Sequence, residues 1–190
     1  MNAIHTVEKN GFKLEIIQDE NPTNPREDFD EAGTIICWHS RYSLSDKKAP
    51  KFDSPEDFLE FAKKEKALYL PLYLYEHGGI TISVSEFSDT WDSGQVGYIY
   101  ILPIDGRKEW GKQWRKKAEA CLKSEIELFN AYLTGEVYGY RVTKKNTCEH
   151  CGNTEAEDVD SCWGFYETEA QLEKQEVYKD GMAALENAAE

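Results

Sequence analysis

The chain has 190 residues, 40% hydrophobic and 13% aromatic, which is enough for one folded domain with a substantial core. It contains no apolar run of about eighteen residues, so we predict no membrane span, and residues 1–10 lack the apolar run and cleavage pattern of a signal peptide. The net charge of −14 disfavours nucleic acid and anionic membranes as partners over most of the surface.

The first half of the chain predicts four strands and one helix. Ser54 and Pro55, followed by acidic residues, are typical of a helix start, and the helix should run to about Lys66. The sequence Glu-His-Gly-Gly at 76–79 predicts a hairpin turn between two of the strands. The predicted strands are 12–17, 33–39, 68–75 and 79–84.

The second half predicts a strand over 96–102 and a long helix over 108–134. Apolar side chains recur in that helix at spacings of three and four, and Gly135 should cap it in a left-handed conformation. Two further strands, 136–143 and 161–166, precede a final helix over 168–186. We therefore predict an α+β fold with an antiparallel-rich sheet covered by one long helix, a shorter helix and an acidic C-terminal helix or tail. Residues 1–166 should form a single α+β domain and residues 167–190 an acidic helical tail.

Five stretches of sequence resemble one known family. They are CWHSRY (37–42), LPLYLYEHGGI (70–80), WDSGQVG (91–97), VYGY (137–140) and DSCWGFY (160–166). The chain resembles, over roughly residues 12–166, a family of small hypothetical proteins of bacteriophages and other mobile elements. The resemblance implies expression in the cytoplasm of a bacterial host, and it implies no activity and no catalytic residues.

The clearest local motif is Cys148-Glu-His-Cys151-Gly. Two cysteines at this spacing, followed by glycine, are typical of a zinc knuckle, and in a chain without an export signal cysteines are expected as reduced thiols or metal ligands. One zinc ion would need two more ligands, for which His150 and Cys162 are the first candidates and Cys37, His39 and Cys121 the others. The alternative is a polar hairpin tip with two reduced thiols.

A second candidate site combines Cys37, His39 and Asp92. Cys37 and His39 should project from one face of a strand, where a thiol beside an imidazole can become a nucleophile. Side chains two apart on a strand are separated by about 7 Å, which is too far for direct proton transfer. A buried cysteine beside a hydrogen-bonded histidine is therefore the competing interpretation, and turn capping equally explains Asp92 and Ser93.

The acidic residues are concentrated in two segments. Residues 146–190 contain twelve acids and two bases, and residues 19–31 contain six acids and one base, Arg26. We expect these segments to form one face that binds a host protein with a basic surface. The residues predicted to contact this partner are Glu155, Glu157, Asp158, Glu169 and Glu173.

The leading functional hypothesis is a non-enzymatic accessory protein of a phage or mobile element that binds a host protein through this acidic surface. Its most concrete form is a mimic of DNA that counters host defence. The alternative is a small hydrolase or nucleotide-modifying enzyme with a pocket near Cys37, His39 and Asp92. A third reading, a nucleic-acid binder, rests on the basic residues between 107 and 123, which Glu109 and Glu119 interrupt.

The knuckle hypothesis predicts that protein purified under reducing conditions from zinc-replete cells carries about one zinc ion per chain. Elemental analysis should show that Cys148→Ser together with Cys151→Ser removes the metal. Metal-free wild-type protein would contradict the hypothesis.

Overall fold

A computed structural model describes residues 3–147, 150–152, 154–167 and 170–189. The chain forms two compact units: unit 1 comprises Met1–Thr23 and Gly135–Glu190, and unit 2 comprises Asn24–Thr134. This division differs from the predicted boundary after residue 166, because the N-terminal strands pair with strands from the C-terminal part of the chain.

The elements follow one another along the chain in this order: β1 (Ala3–Lys9), β2 (Phe12–Gln18), α1 (Pro25–Asp28), β3 (Thr34–Cys37), α2 (Pro55–Glu65), β4 (Leu68–Glu76), β5 (Ile80–Ser83), β6 (Ser93–Ile101), α3 (Pro103–Trp110), α4 (Trp114–Thr134), β7 (Val137–Thr147), β8 (Thr154–Tyr166) and α5 (Glu176–Ala189). The predicted α+β class, with antiparallel strands and one long helix, is confirmed. The strands form two four-stranded sheets rather than one. Among the described residues, no helix has the length and apolar character needed to cross a membrane.

Unit 2 contains the sheet β3-β6-β4-β5, with helices on both faces. On one face, side chains such as Ile35, Leu72 and Ile99 pack against Leu122 and Ile126 of α4. On the other face, the aromatic and aliphatic side chains of α2 pack against β3 and β6. Alternate residues of β3 and β6 thus enter two separate cores, and these two strands are held between helices.

Helix α2 is the element whose bounds the sequence predicts best. Ser54 has an extended backbone, and its hydroxyl accepts a hydrogen bond from the amide of Asp57 at 3.2 Å. Pro55 occupies the first turn, and the helix ends before Lys66, which is left-handed. The buried Phe58 and Ala62 show that this helix is held by one apolar face.

The long helical segment begins earlier than predicted and is interrupted. Pro103, which follows the predicted strand, also begins α3, since its fixed backbone angle suits the first helical turn. A 3-10 turn over Gly111–Gln113 then separates α3 from α4. Gly111 has φ 61° and ψ −137°, outside the helical region, so the apolar spacing that continues across it does not reveal the break.

Unit 1 contains the sheet β1-β2-β7-β8 and helix α5. Val177 and Leu185 of α5 are fully buried against side chains of β2 and β7, among them Leu14 and Val142. The C-terminal segment is therefore a core element of unit 1 and not the acidic tail that we predicted. Its helix starts at Glu176 rather than at 168, a position outside the described residues.

Strands β7 and β8 form a longer hairpin than the sequence indicates. Their pairing extends to Thr147 and Thr154, through residues expected to form a polar connection. The register shifts once near Val159 and again near Gly164, which has φ 82°. Residues 154–164 of β8 are all exposed, because α5 covers the inner strands of the sheet.

A buried ion cluster fixes the start of unit 2. The guanidinium of Arg26, which is 5% exposed, donates from Nε and Nη2 to the two carboxylate oxygens of Asp46 at 2.9 and 2.6 Å. Its Nη1 donates to Glu125 Oε2 at 2.9 Å. Glu125 also accepts hydrogen bonds from the amides of Ala32 and Gly33, so the loop before β3 is tied to α4.

Glu31 lies at the border of this cluster, 4.0 Å from the guanidinium of Arg26. Burial and the neighbouring carboxylate of Glu125 raise the pKa of Glu31 from 4.5 to about 7, against the opposing effect of Arg26. Between these two pH values the folded protein binds more protons than the unfolded chain at this site. Its contribution to stability is therefore fully present below pH 4.5 and is lost as the pH rises to about 7.

We expect Glu31→Gln, which stays neutral at every pH, to remove this contribution to the pH dependence. Chemical denaturation across this window should show a smaller loss of stability with rising pH in the variant than in the wild-type protein. Glu60→Gln, on the exposed face of α2, is the control and should follow the wild-type curve. Equal slopes for Glu31→Gln and wild type would contradict the placement of Glu31.

Candidate functional site

A cavity of about 600 Å³ lies at one end of the sheet in unit 2, where several strands begin or end. The C-terminal ends of β3 and β4 and the N-terminal end of β6 meet there, because β6 runs antiparallel to both neighbours. Leu74 and Val96 contribute apolar lining. The polar and aromatic residues of the lining include His39, Arg41, Glu76, His77, Trp91 and Asp92.

His39 is held by the backbone that follows it. Its Nδ1 accepts hydrogen bonds from the amides of Arg41 and Tyr42, both at 3.3 Å. The imidazole also stacks on the ring of Tyr42, with centroids 5.1 Å apart and an interplanar angle of 15°. An acceptor at Nδ1 places the proton of the neutral ring on Nε2, so His39 offers a hydrogen-bond donor.

His77 and Asp92 form a pair on the lining of the cavity. Nδ1 of His77 lies 3.3 Å from Oδ2 of Asp92, and the amide of Glu76 donates to the carbonyl of Asp92 at 2.8 Å. The second contact fixes the loop before β6 against the end of β4. The imidazole of His77 also stacks near Tyr75 at an interplanar angle of 17°. This pair leaves Nε2 of His77 and Oδ1 of Asp92 for other contacts.

Glu76 connects the loop after β3 to the end of β4. One carboxylate oxygen accepts from the hydroxyl of Tyr42 at 2.8 Å, and the other pairs with the guanidinium of Arg41. The hydrogen bond to Glu76 and burial raise the pKa of Tyr42. Close to these groups, the indole of Trp91 is 95% exposed, which is unusual for the largest apolar side chain.

The structure brings His39 and Asp92 to the same cavity, as the enzyme hypothesis requires, but it places Cys37 elsewhere. Cys37 lines a separate cavity with Trp38, Ser45 and Phe52. Burial raises the pKa of the Cys37 thiol, whose sulfur accepts from the amide of His39 at 3.4 Å. Because Cys37 lines a different cavity, the expectation of a pocket shared with His39 and Asp92 is wrong for Cys37. A protonated, half-buried thiol is also a poor nucleophile.

The predicted zinc ligands are only partly described. Cys148 lies outside the described residues, and His150 and Cys151 are exposed beyond the last pair of the β7–β8 hairpin. Cys162 pairs with Tyr140, eight residues along β8 from Thr154, a distance of about 25 Å on an extended strand. Cys162 therefore cannot join a site at the hairpin tip. Within the described ranges, no group of three or more His, Cys, Asp or Glu side chains is placed to hold a metal ion.

The predicted acidic contacts are exposed where they are described. Glu155, Glu157 and Asp158 lie on β8, and Glu173 lies in the 3-10 turn before α5. Glu169 lies outside the described residues. The segment 19–31 is divided between the two units, and Glu31 at its end lies beside Arg26 inside unit 2. Asp19 and Glu20 belong to the same unit as β8, whereas Glu27, Asp28, Asp30 and Glu31 belong to unit 2. That the two acidic segments form one face stays a prediction.

Comparison with protein-family models, with curated proteins and with solved structures finds no match for this chain. Two exposed features of the molecule are the candidates for its function: the acidic strand β8 at the edge of the sheet in unit 1 and the cavity of unit 2.

The positions of the cysteines predict an order of thiol reactivity. Cys162 is exposed, whereas Cys37 is half-buried with a raised pKa, and burial beside Glu125 raises the pKa of Cys121 to about 11. With limiting iodoacetamide on the native protein near pH 8, peptide mass spectrometry should find Cys162 alkylated at least about tenfold faster than Cys37. Preferential labelling of Cys37 would contradict this assignment and restore it as a candidate nucleophile.

Proposed function

We infer that unit 1 is a protein-binding module whose outer strand, β8, contacts a basic surface of a host protein. The observation that carries this proposal is the exposure of residues 154–164 on β8 in the more acidic unit. The sequence of unit 1 contains seventeen acids and seven bases, so it carries −10 of the net charge of −14. An acidic surface attracts basic partners at long range and orients their approach.

The edge strands of unit 2 and strand β8 of unit 1 differ in whether side chains cover their outer amides. In unit 2, Asp46 and Ser45 accept hydrogen bonds from the amides of Ile35 and Cys37, so side chains cover the outer edge of β3. Asn130 likewise accepts from the amide of Ile82 on β5. Over residues 154–162 of β8, the structure shows no side chain that accepts from an outer amide in this way. The outer amides and carbonyls of this part of β8 can therefore pair with an added strand.

Charge selects which strand can be added. Glu155, Glu157 and Asp160 project from the face of β8 that α5 adjoins, while Asp158 projects from the other face, where Arg141 is 4.0 Å away. A second copy of this chain would bring like charges together along the edge, which opposes self-association. A basic segment would neutralise them, and this complementarity supports a basic protein as the partner. A protein that normally binds DNA offers such a surface, in keeping with the hypothesis of a DNA mimic.

The test is affinity capture from a bacterial lysate with the purified chain as bait. We expect a basic protein to be retained at low salt and released as the ionic strength rises, because the Debye length falls to about 8 Å near 0.15 M. The triple variant Glu155→Lys, Glu157→Lys and Asp158→Lys should lose this protein.

The matched control is Glu60→Lys, Glu65→Lys and Glu127→Lys, which makes the same change in charge on exposed positions of α2 and α4. It should retain the partner. Equal capture by the β8 variant and the control, or the same loss in both, would show that the edge of β8 is not the binding site.

A further inference from the structure

We propose that the cavity of unit 2 binds a nucleobase or nucleoside, a flat ring with hydrogen-bond donors and acceptors on its edges. This site involves none of the residues of the acidic strand β8, so the two proposals stand or fall separately.

The aromatic groups of the lining are planar and mostly anchored. The imidazole of His39 is nearly parallel to Tyr42, and that of His77 is nearly parallel to Tyr75. Trp91 adds an indole that is almost completely accessible to solvent beside the cavity. Every nucleobase has two flat faces that stack on aromatic side chains, whereas a saccharide ring is puckered. A flat ligand thus gives the exposed indole of Trp91 a stacking partner.

The polar groups supply both kinds of hydrogen bond. His39 presents the donor at Nε2, because its Nδ1 already accepts from two amides. Asp92 presents the acceptor Oδ1, since its Oδ2 faces His77. The edges of nucleobases carry amino donors beside carbonyl and ring-nitrogen acceptors, so one base can satisfy both groups. Leu74 and Val96 provide the apolar lining usual in small-ligand sites.

Charge narrows the ligand class to neutral molecules. Among the lining residues, Arg41 is the only permanent cation, it is already paired with Glu76, and Asp92 adds a second carboxylate. With neutral histidines the lining carries a charge of about −1, and the protein as a whole carries −14. The negative charge of the lining and that of the whole protein both oppose the binding of phosphate groups. A nucleoside should therefore bind more tightly than its triphosphate.

The experiment is isothermal titration of the full-length chain with adenosine, guanosine, cytidine and uridine, with the corresponding triphosphates, and with methyl glucoside. At least one nucleoside should bind saturably with a Kd below about 1 mM. Trp91→Ala and Asp92→Ala should each weaken binding by about tenfold or more, equivalent to about 1.4 kcal/mol.

Trp91 can be replaced without disturbing the core because its side chain is 95% exposed. Trp163→Ala is the matched control, since Trp163 is another exposed indole that is absent from the lining, and it should leave binding unchanged. Four outcomes would overturn the proposal: no nucleoside binding at millimolar concentration, undiminished binding by Trp91→Ala, methyl glucoside binding as tightly as any nucleoside, or a triphosphate binding more tightly than its nucleoside.

Discussion

The burial of one guanidinium group constrains the whole of unit 2. Arg26 is 5% exposed and its charge cannot be removed, so the fold must bring carboxylates to it from distant parts of the sequence. Asp46 arrives from the loop after β3 and Glu125 from α4. Asp46 also accepts a hydrogen bond from the amide of Ile35. The carboxylate that pairs with Arg26 therefore also covers the outer edge of β3. The chain is thereby fixed just before His39, the residue that begins the wall of the cavity.

Local signals in the sequence predict those elements that local interactions determine. Ser54 and Pro55 define the start of α2 because the cap and the fixed proline angle act within one turn. The break at Gly111 and the burial of α5 depend on packing against other elements, which spacing alone does not reveal. The N-terminal half of β8 is equally hidden, since its glutamates and aspartates have low strand propensity and it forms because β7 offers a continuous partner.

The candidate site was predictable in part for a related reason. The sequence indicates His39 as an imidazole close to a thiol on one strand and Asp92 as a loop residue that can reach it, and antiparallel pairing brings the two residues to one cavity. In the sequence His77 is recognisable only as part of a turn, and Trp91 only as part of the stretch 91–97. Their roles depend on exposure and on mutual orientation, which single residues in a sequence do not encode. Cys37 is misplaced because β3 ends at that residue, so the regular alternation of side chains along a strand does not extend to His39.

The two register shifts of β8 limit the length of any strand that can pair with its outer edge. Near Val159 and Gly164 the strand carries an extra residue, which twists the edge and interrupts the regular ladder of amides and carbonyls. A regular incoming strand can therefore follow β8 over only about five residues before the spacing of its own groups falls out of phase. Short, specific pairing is compatible with this geometry, whereas the repeated in-register stacking of a fibril is not.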